Sequence, residues 1–123
     1  MSMDSREIKF WDGSKRRNWF WMRATVRKVM DEPEILLEVA EWMDRHWADD
    51  PSQQRNLRNW RRVINLPPRE FARAVLADTE ISQETRESAP FFMVLTDEEM
   101  AEFLAAARTE PAIAYNPDNT EKP

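Results

Sequence analysis

Apolar residues recur at helical spacing along most of this chain. In residues 14–30, SKRRNWFWMRATVRKVM, the positions Trp19, Met22, Val26, Val29 and Met30 share one stripe. That spacing predicts a long amphipathic helix. Asp12-Gly13-Ser14 before it reads as a turn and a helix start, with Asp12 or Ser14 as cap. In residues 31–47, DEPEILLEVAEWMDRHW, the stripe is Ile35, Val39, Trp42, Met43 and His46, widened by Leu36, Ala40 and Trp47. Glu34, Glu38, Glu41 and Arg45 lie opposite. Pro33 suits a first helical position, where a missing N–H costs nothing. This is the most regular pattern in the chain, and it predicts the helix against which the others pack.

A third helix is expected over 51–65, with Asp50 as cap, Pro51 and Gln53 completing a capping box, and Leu57, Trp60 and Ile64 facing inward. Leu66-Pro67-Pro68 ends it and opens a short helix over 68–77 that buries Phe71, Ala72, Val75 and Leu76. Residues 78–88 are polar and read as a brief helix capped at Ser82 or as a loop. Thr96 with Glu99 is a capping box for a last helix reaching Arg108, its inner face Met100, Phe103, Leu104 and Ala107.

Two stretches break the helical period. Residues 5–11, SREIKFW, alternate weakly and read as a short strand or a strap, with Ile8 and Phe10 on one side. Residues 91–95, FFMVL, are the most strand-like piece. One strand cannot stand alone, because its backbone groups need partners. It is expected to pair with 7–11, to pair with its twin across a homodimer, or to lie as a buried extended strap. From Glu110 the Pro, Asn and charge content predicts a flexible tail, with Ile113 and Tyr115 its large apolar residues. The expected organisation is an N-terminal strap over 1–13, one helical domain over 14–109 and a tail over 110–123. The fold class is all-α, a compact bundle of four to five helices with at most one short strand pairing.

Composition narrows the chemistry. Gly13 is the only glycine in 123 residues, which excludes a Walker A loop, a dinucleotide fingerprint and a nucleophile elbow. There is no Cys, so disulfides, zinc-thiolate sites and cysteine nucleophiles are excluded. His46 is the single histidine and lies on an apolar stripe without an ExxH pattern, so no metal site and no general base is expected. Glu34, Glu38 and Glu41 share a face, but such clusters are ordinarily solvated, and no enzyme and no cofactor is expected. MSMDSREIKF is charged and no apolar run nears the roughly 20 residues of a membrane span, so neither a secretory leader nor a membrane partner is expected. The expected location is cytoplasmic.

Charge is blocked along the chain, although the net is only −5. Residues 1–30 sum to +5, 31–50 to −7, 51–77 to +5 and 78–123 to −8. Either the oppositely charged helices lie side by side and neutralise one another, or a basic block faces a partner. Two clusters bear on this. Arg16, Phe20, Arg23 and Arg27 form a ridge beside the first helix's stripe, with Trp21 also off the stripe. Aromatic and Arg side chains together suit a protein-binding hot spot, or pack under other helices with the arginines laid over them. Arg55, Arg58, Arg61 and Arg62 line the outer face of the third helix with Asn56 and Asn59 between, residue types that contact phosphates and base edges. A helix-turn-helix over 71–85 is rejected, because its turn has no Gly and the segment after it, SQETRESAP, is net negative. The expected function is a non-enzymatic protein-interaction or regulatory module of adaptor or inhibitor type. The alternative is a small nucleic-acid-binding regulator that uses the arginine face at 55–62.

Overall fold

The computed structural model describes residues 7–115. Six α-helices follow in chain order: α1 Gly13–Asp31, α2 Ile35–His46, α3 Gln54–Ile64, α4 Pro68–Leu76, α5 Glu80–Glu87 and α6 Asp97–Thr109. The all-α class holds. The helix count exceeds the expected four to five because the polar stretch after Asp78 is helical. Its cap is Thr79, whose side chain accepts from the Ser82 N–H at 3.1 Å, and not Ser82 itself.

The bundle is built round α1, not round α2. Trp19, Phe20, Met22, Thr25, Val26 and Val29 are all buried, an arc wide enough to serve α4, α5 and α6 at once. On α2 only Ile35, Val39 and Met43 are buried, roughly one residue per turn. Leu36 and Trp42 pack at the edges of this narrow stripe, and the close backbone neighbour of α2 is α3. His46 lies outside the core. It is exposed, stacks on Trp42 at 4.5 Å and bonds the Trp42 carbonyl through Nδ1 at 2.9 Å.

Capping sets most boundaries. The Asp12 side chain accepts from the Lys15 N–H and starts α1. Pro33 and Glu34 form a turn, and α2 begins after them at Ile35. Asp50 accepts from the backbone N–H and the hydroxyl of Ser52, which yields a 3₁₀ turn over Pro51–Gln53 ahead of α3. Gln53 bonds Asn56 through its side chain, and Gln54 donates to the carbonyls of Trp47, Ala48 and Asp50 beyond the end of α2. The Thr96–Glu99 capping box of α6 is made in both directions. On α3 the third inward residue is Val63, with Ile64 half-buried. On α6 the buried residues are Ala106 and Ala107, while Met100 is turned outward. Small alanines let α6 approach α1 closely, and a Met at that interface would hold the helices apart.

FFMVL is a turn rather than a strand: the Val94 N–H bonds the Phe91 carbonyl at 3.2 Å. A strand would point 91, 93 and 95 the same way. Here Phe91 and Val94 go inward and Phe92 and Met93 outward. A β-pairing through 91–95, within the chain or across a homodimer, therefore lacks the extended backbone it needs. The short pairing forms elsewhere. Glu7 and Ile113 make an antiparallel bridge, and the Ile8 N–H bonds the Ala112 carbonyl at 2.7 Å. Ile8 and Ala112 are buried there, so the start of the expected tail is docked. The rest of the strap and of the tail, residues 1–6 and 116–123, lies outside the described residues.

Candidate functional site

The expected ridge on α1 divides between two surroundings. Phe20 is completely buried, so it does not join Trp21 in an exposed patch. Arg16 and Arg23 lie over its ring, 4.9 and 4.7 Å from the centroid. Arg16 donates through Nε to the Ala107 carbonyl at 2.5 Å and through Nη2 to the Glu110 carbonyl. Arg23 pairs with the Glu110 carboxylate at 3.0 Å. Arg16 therefore satisfies open carbonyls at the C-terminus of α6, where the helix dipole favours positive charge, while Arg23 is held by the Glu110 side chain beside them. Arg27 borders the same groove of about 390 Å³ between α1 and α6. Its pKa is lowered by burial first and by Arg23 second.

Trp21 goes the other way. Its ring meets Phe92 at 6.1 Å, and Phe92 meets Trp42 at 5.6 Å. Trp42 is braced by Trp47, edge-on at 5.5 Å, and by His46 stacked on it. The platform opens into a depression of about 480 Å³ lined by Glu38, Glu41, Trp42, Arg45, Phe92 and Met93. Phe92 is 66% exposed and Met93 44%. Neither sits on a loose loop. Phe91 beside them is buried and meets Trp60 edge-on at 5.1 Å. Lys28 donates to the Val94 carbonyl at 2.8 Å and pairs with Glu99 at 2.7 Å, tying the turn to α1 and α6 together. The Glu99 pKa is lowered, by the Lys28 bond first and the Thr96 backbone second. The turn is thus held from both sides while its tip faces solvent. Trp11, Leu37 and Ile81 are also exposed, but no ring contact joins Trp11 to another aromatic among the described residues.

The arginine face of α3 is present. Arg55, Arg58, Arg61 and Arg62 are all exposed. Arg61 pairs with Asp44 at 2.8 Å, and Arg62 donates to Asn59. Among the described residues no carboxylate lies within ion-pairing distance of Arg55, Arg58 or Arg62. Arg55 borders a polar groove of about 440 Å³ with Asn56, Asn59, Glu84, Thr85 and Ser88, so acid adjoins one end of the face.

Sequence reasoning passed over three residues of the platform and one buried cation. The helical period puts Trp42 in the core stripe, where it is in fact only partly buried, and the apolar run reads Phe92 and Met93 as strand. The available signal was the spacing of Phe91 and Val94, which fits a turn with two inward residues. Arg86 is buried at 2% exposure and donates from Nη1 to the carbonyls of Val75 and Ala77, both at 3.0 Å. Burial pushes its pKa down to about 10, opposed by Asp78 and Glu87. It closes the C-terminus of α4, a structural task.

Among the described residues no group of three or more His, Asp and Glu is placed to hold a metal ion, and no helix is long and apolar enough to cross a membrane. No protein family, curated protein or solved structure matches this chain.

Proposed function

We propose that this chain is a non-enzymatic protein-docking module, of adaptor or inhibitor type, and that the aromatic platform beside α2 receives another protein. One observation carries the reading. Phe92 and Met93 are exposed on a turn whose flanking residues, Phe91 and Val94, are buried. Large apolar side chains presented to solvent from a firmly anchored turn are the usual anchors of a recognition surface, because little backbone freedom is left to lose on binding. Trp and Met are enriched at such surfaces, and the acid rim gives the patch a polar border.

A photo-crosslinking residue in place of Phe92 tests this in the cell the chain comes from. The expected product is a discrete adduct with one other protein, absent when the crosslinker replaces Ala101 on α6. An adduct of twice the chain's own mass would make the platform a self-association surface instead. No adduct from position 92 would sink the reading.

A second reading rests on a different observation. Arg55, Arg58 and Arg62 stand exposed along one face of α3 without a described carboxylate in pairing distance. That arrangement supports binding of a nucleic-acid backbone, where cations displace condensed counterions.

A further inference from the structure

Beside the groove between α1 and α6, Arg23 forms a three-part chemical unit: an aromatic ring, an arginine over its face and an acidic group beyond. Arg23 lies 4.7 Å from the Phe20 centroid and 5.7 Å from that of Trp19, and it pairs with Glu110 at 3.0 Å. The platform beside α2 has two parts of that unit without the third. Trp42 and Phe92 supply the rings, and Glu38 and Glu41 supply the acid. Among the described residues no cation lies over either ring. Arg45 borders the same depression one turn along from Glu41, yet it does not sit on Trp42 or Phe92. One face of the Trp42 ring is taken by His46, 4.5 Å away at 20°, Trp47 and Phe92 also meet the ring at 5.5 and 5.6 Å, and the part left between them lines the depression.

We infer that the occupant of the platform is a basic segment of a partner protein, one arginine of which lies over Trp42 and Phe92 and bonds Glu38 or Glu41. This rests on the docking reading above and specifies its partner. A guanidinium suits the site better than an ammonium. It is planar, stacks on aromatic faces, and carries paired donors that match a carboxylate. Apolar neighbours of that arginine cover Met93, whose flexible thioether adapts to varied shapes. The surrounding field agrees in sign, since residues 31–50 carry eight acidic side chains against one arginine. Such a field speeds encounter with a basic partner and weakens as salt rises.

The test uses the full chain, labelled with ¹⁵N and with ¹³C at the Met methyls, and two designed probe peptides. One is an amphipathic helix of Arg and Leu; the other has Glu at every Arg position. The Arg/Leu peptide is expected to shift the Trp42 indole N–H and the Met93 methyl resonance, and the Glu/Leu peptide to shift neither. The double variant E38Q/E41Q is expected to bind about tenfold more weakly, about 1.4 kcal/mol. A control, E80Q/E84Q on α5, is expected to bind within about twofold of the parent, as a pair of remote surface charges should.

Equal binding of the two peptides, or an unchanged affinity in E38Q/E41Q, overturns the arginine assignment and leaves the docking surface standing. So does an equal loss in E80Q/E84Q, which would mark diffuse attraction to an acidic protein. Loss of the position-92 adduct, with no resonance shifted by either peptide, removes both proposals together.

Discussion

Phe91 and Phe92 are adjacent in sequence and opposite in consequence. Phe91 is sealed against Trp60, and its truncation to Ala is expected to cost about 3–5 kcal/mol in urea unfolding, the range for a large core ring. Phe92→Ser is expected to cost only about 1 kcal/mol, the worth of its ring contacts with Trp21 and Trp42 on a side chain that is mostly exposed. A large loss in Phe92→Ser would mean that the ring supports the fold instead of awaiting a partner. Arg86 poses the reverse case, a charged residue that the fold consumes. Arg86→Ala leaves the Val75 and Ala77 carbonyls without their donor and opens a void, at a cost of about 2–4 kcal/mol. A loss below about 0.5 kcal/mol would show that water replaces the guanidinium at both carbonyls. Neither Arg86 nor Phe92 could be sorted from sequence. Burial of a particular side chain depends on what the rest of the chain brings to it.

At the scale of elements, the start of α6 joins local and distant interactions in one carboxylate. Glu99 accepts from the Thr96 backbone N–H at 2.8 Å and from Lys28 at 2.7 Å. Thr96→Ala is expected to cost about 1 kcal/mol, the usual worth of an N-cap. Glu99 also sets a pH dependence. Its folded pKa lies below the ordinary carboxylate value, and Lys28 is the largest cause. Its contribution to stability is therefore fully present above the unfolded pKa and is lost as pH falls through the folded one. Asp50 acts in the same direction through Ser52. Glu99→Gln should lower the urea midpoint at pH 7, and the gap to the parent should narrow as pH falls below the ordinary carboxylate range and through the lowered folded pKa of Glu99. A gap that stays constant across that window would assign the loss to shape rather than charge. The capping box was legible in the sequence because its partners are only three positions apart. The bond to Lys28 was not, because 71 positions separate the partners.

Across the whole molecule, the alternating charge blocks meet only in part. Arg61 pairs with Asp44 across α3 and α2, and Lys15 pairs with Glu87 across α1 and α5. The acidic face at Glu38 and Glu41 and the basic face at Arg58 and Arg62 are left open to solvent. If the basic face binds nucleic acid, a labelled oligonucleotide should bind at low salt and lose affinity linearly in log salt. Arg58→Ala with Arg62→Ala should reduce that slope by about 2. No binding at low salt would leave those arginines as solvated charge.

By itself the sequence determined the periodicity, and with it the all-α class, the inward face of α4 and the cap at Thr96. Each of these is written within one or two turns of chain, where backbone geometry alone decides which residues share a face. It also excluded the chemistry that needs cysteine or several glycines. Tertiary structure alone decided that α1 is central, that FFMVL turns outward at its middle, and that Arg16 and Arg23 are spent on the end of α6. A helical period shows which face of an element is apolar, but how many neighbours cover that face depends on residues far along the chain. The candidate site belongs to this second kind. Trp21, Trp42 and Phe92 become one platform only when α1, α2 and the 91–95 turn are packed together.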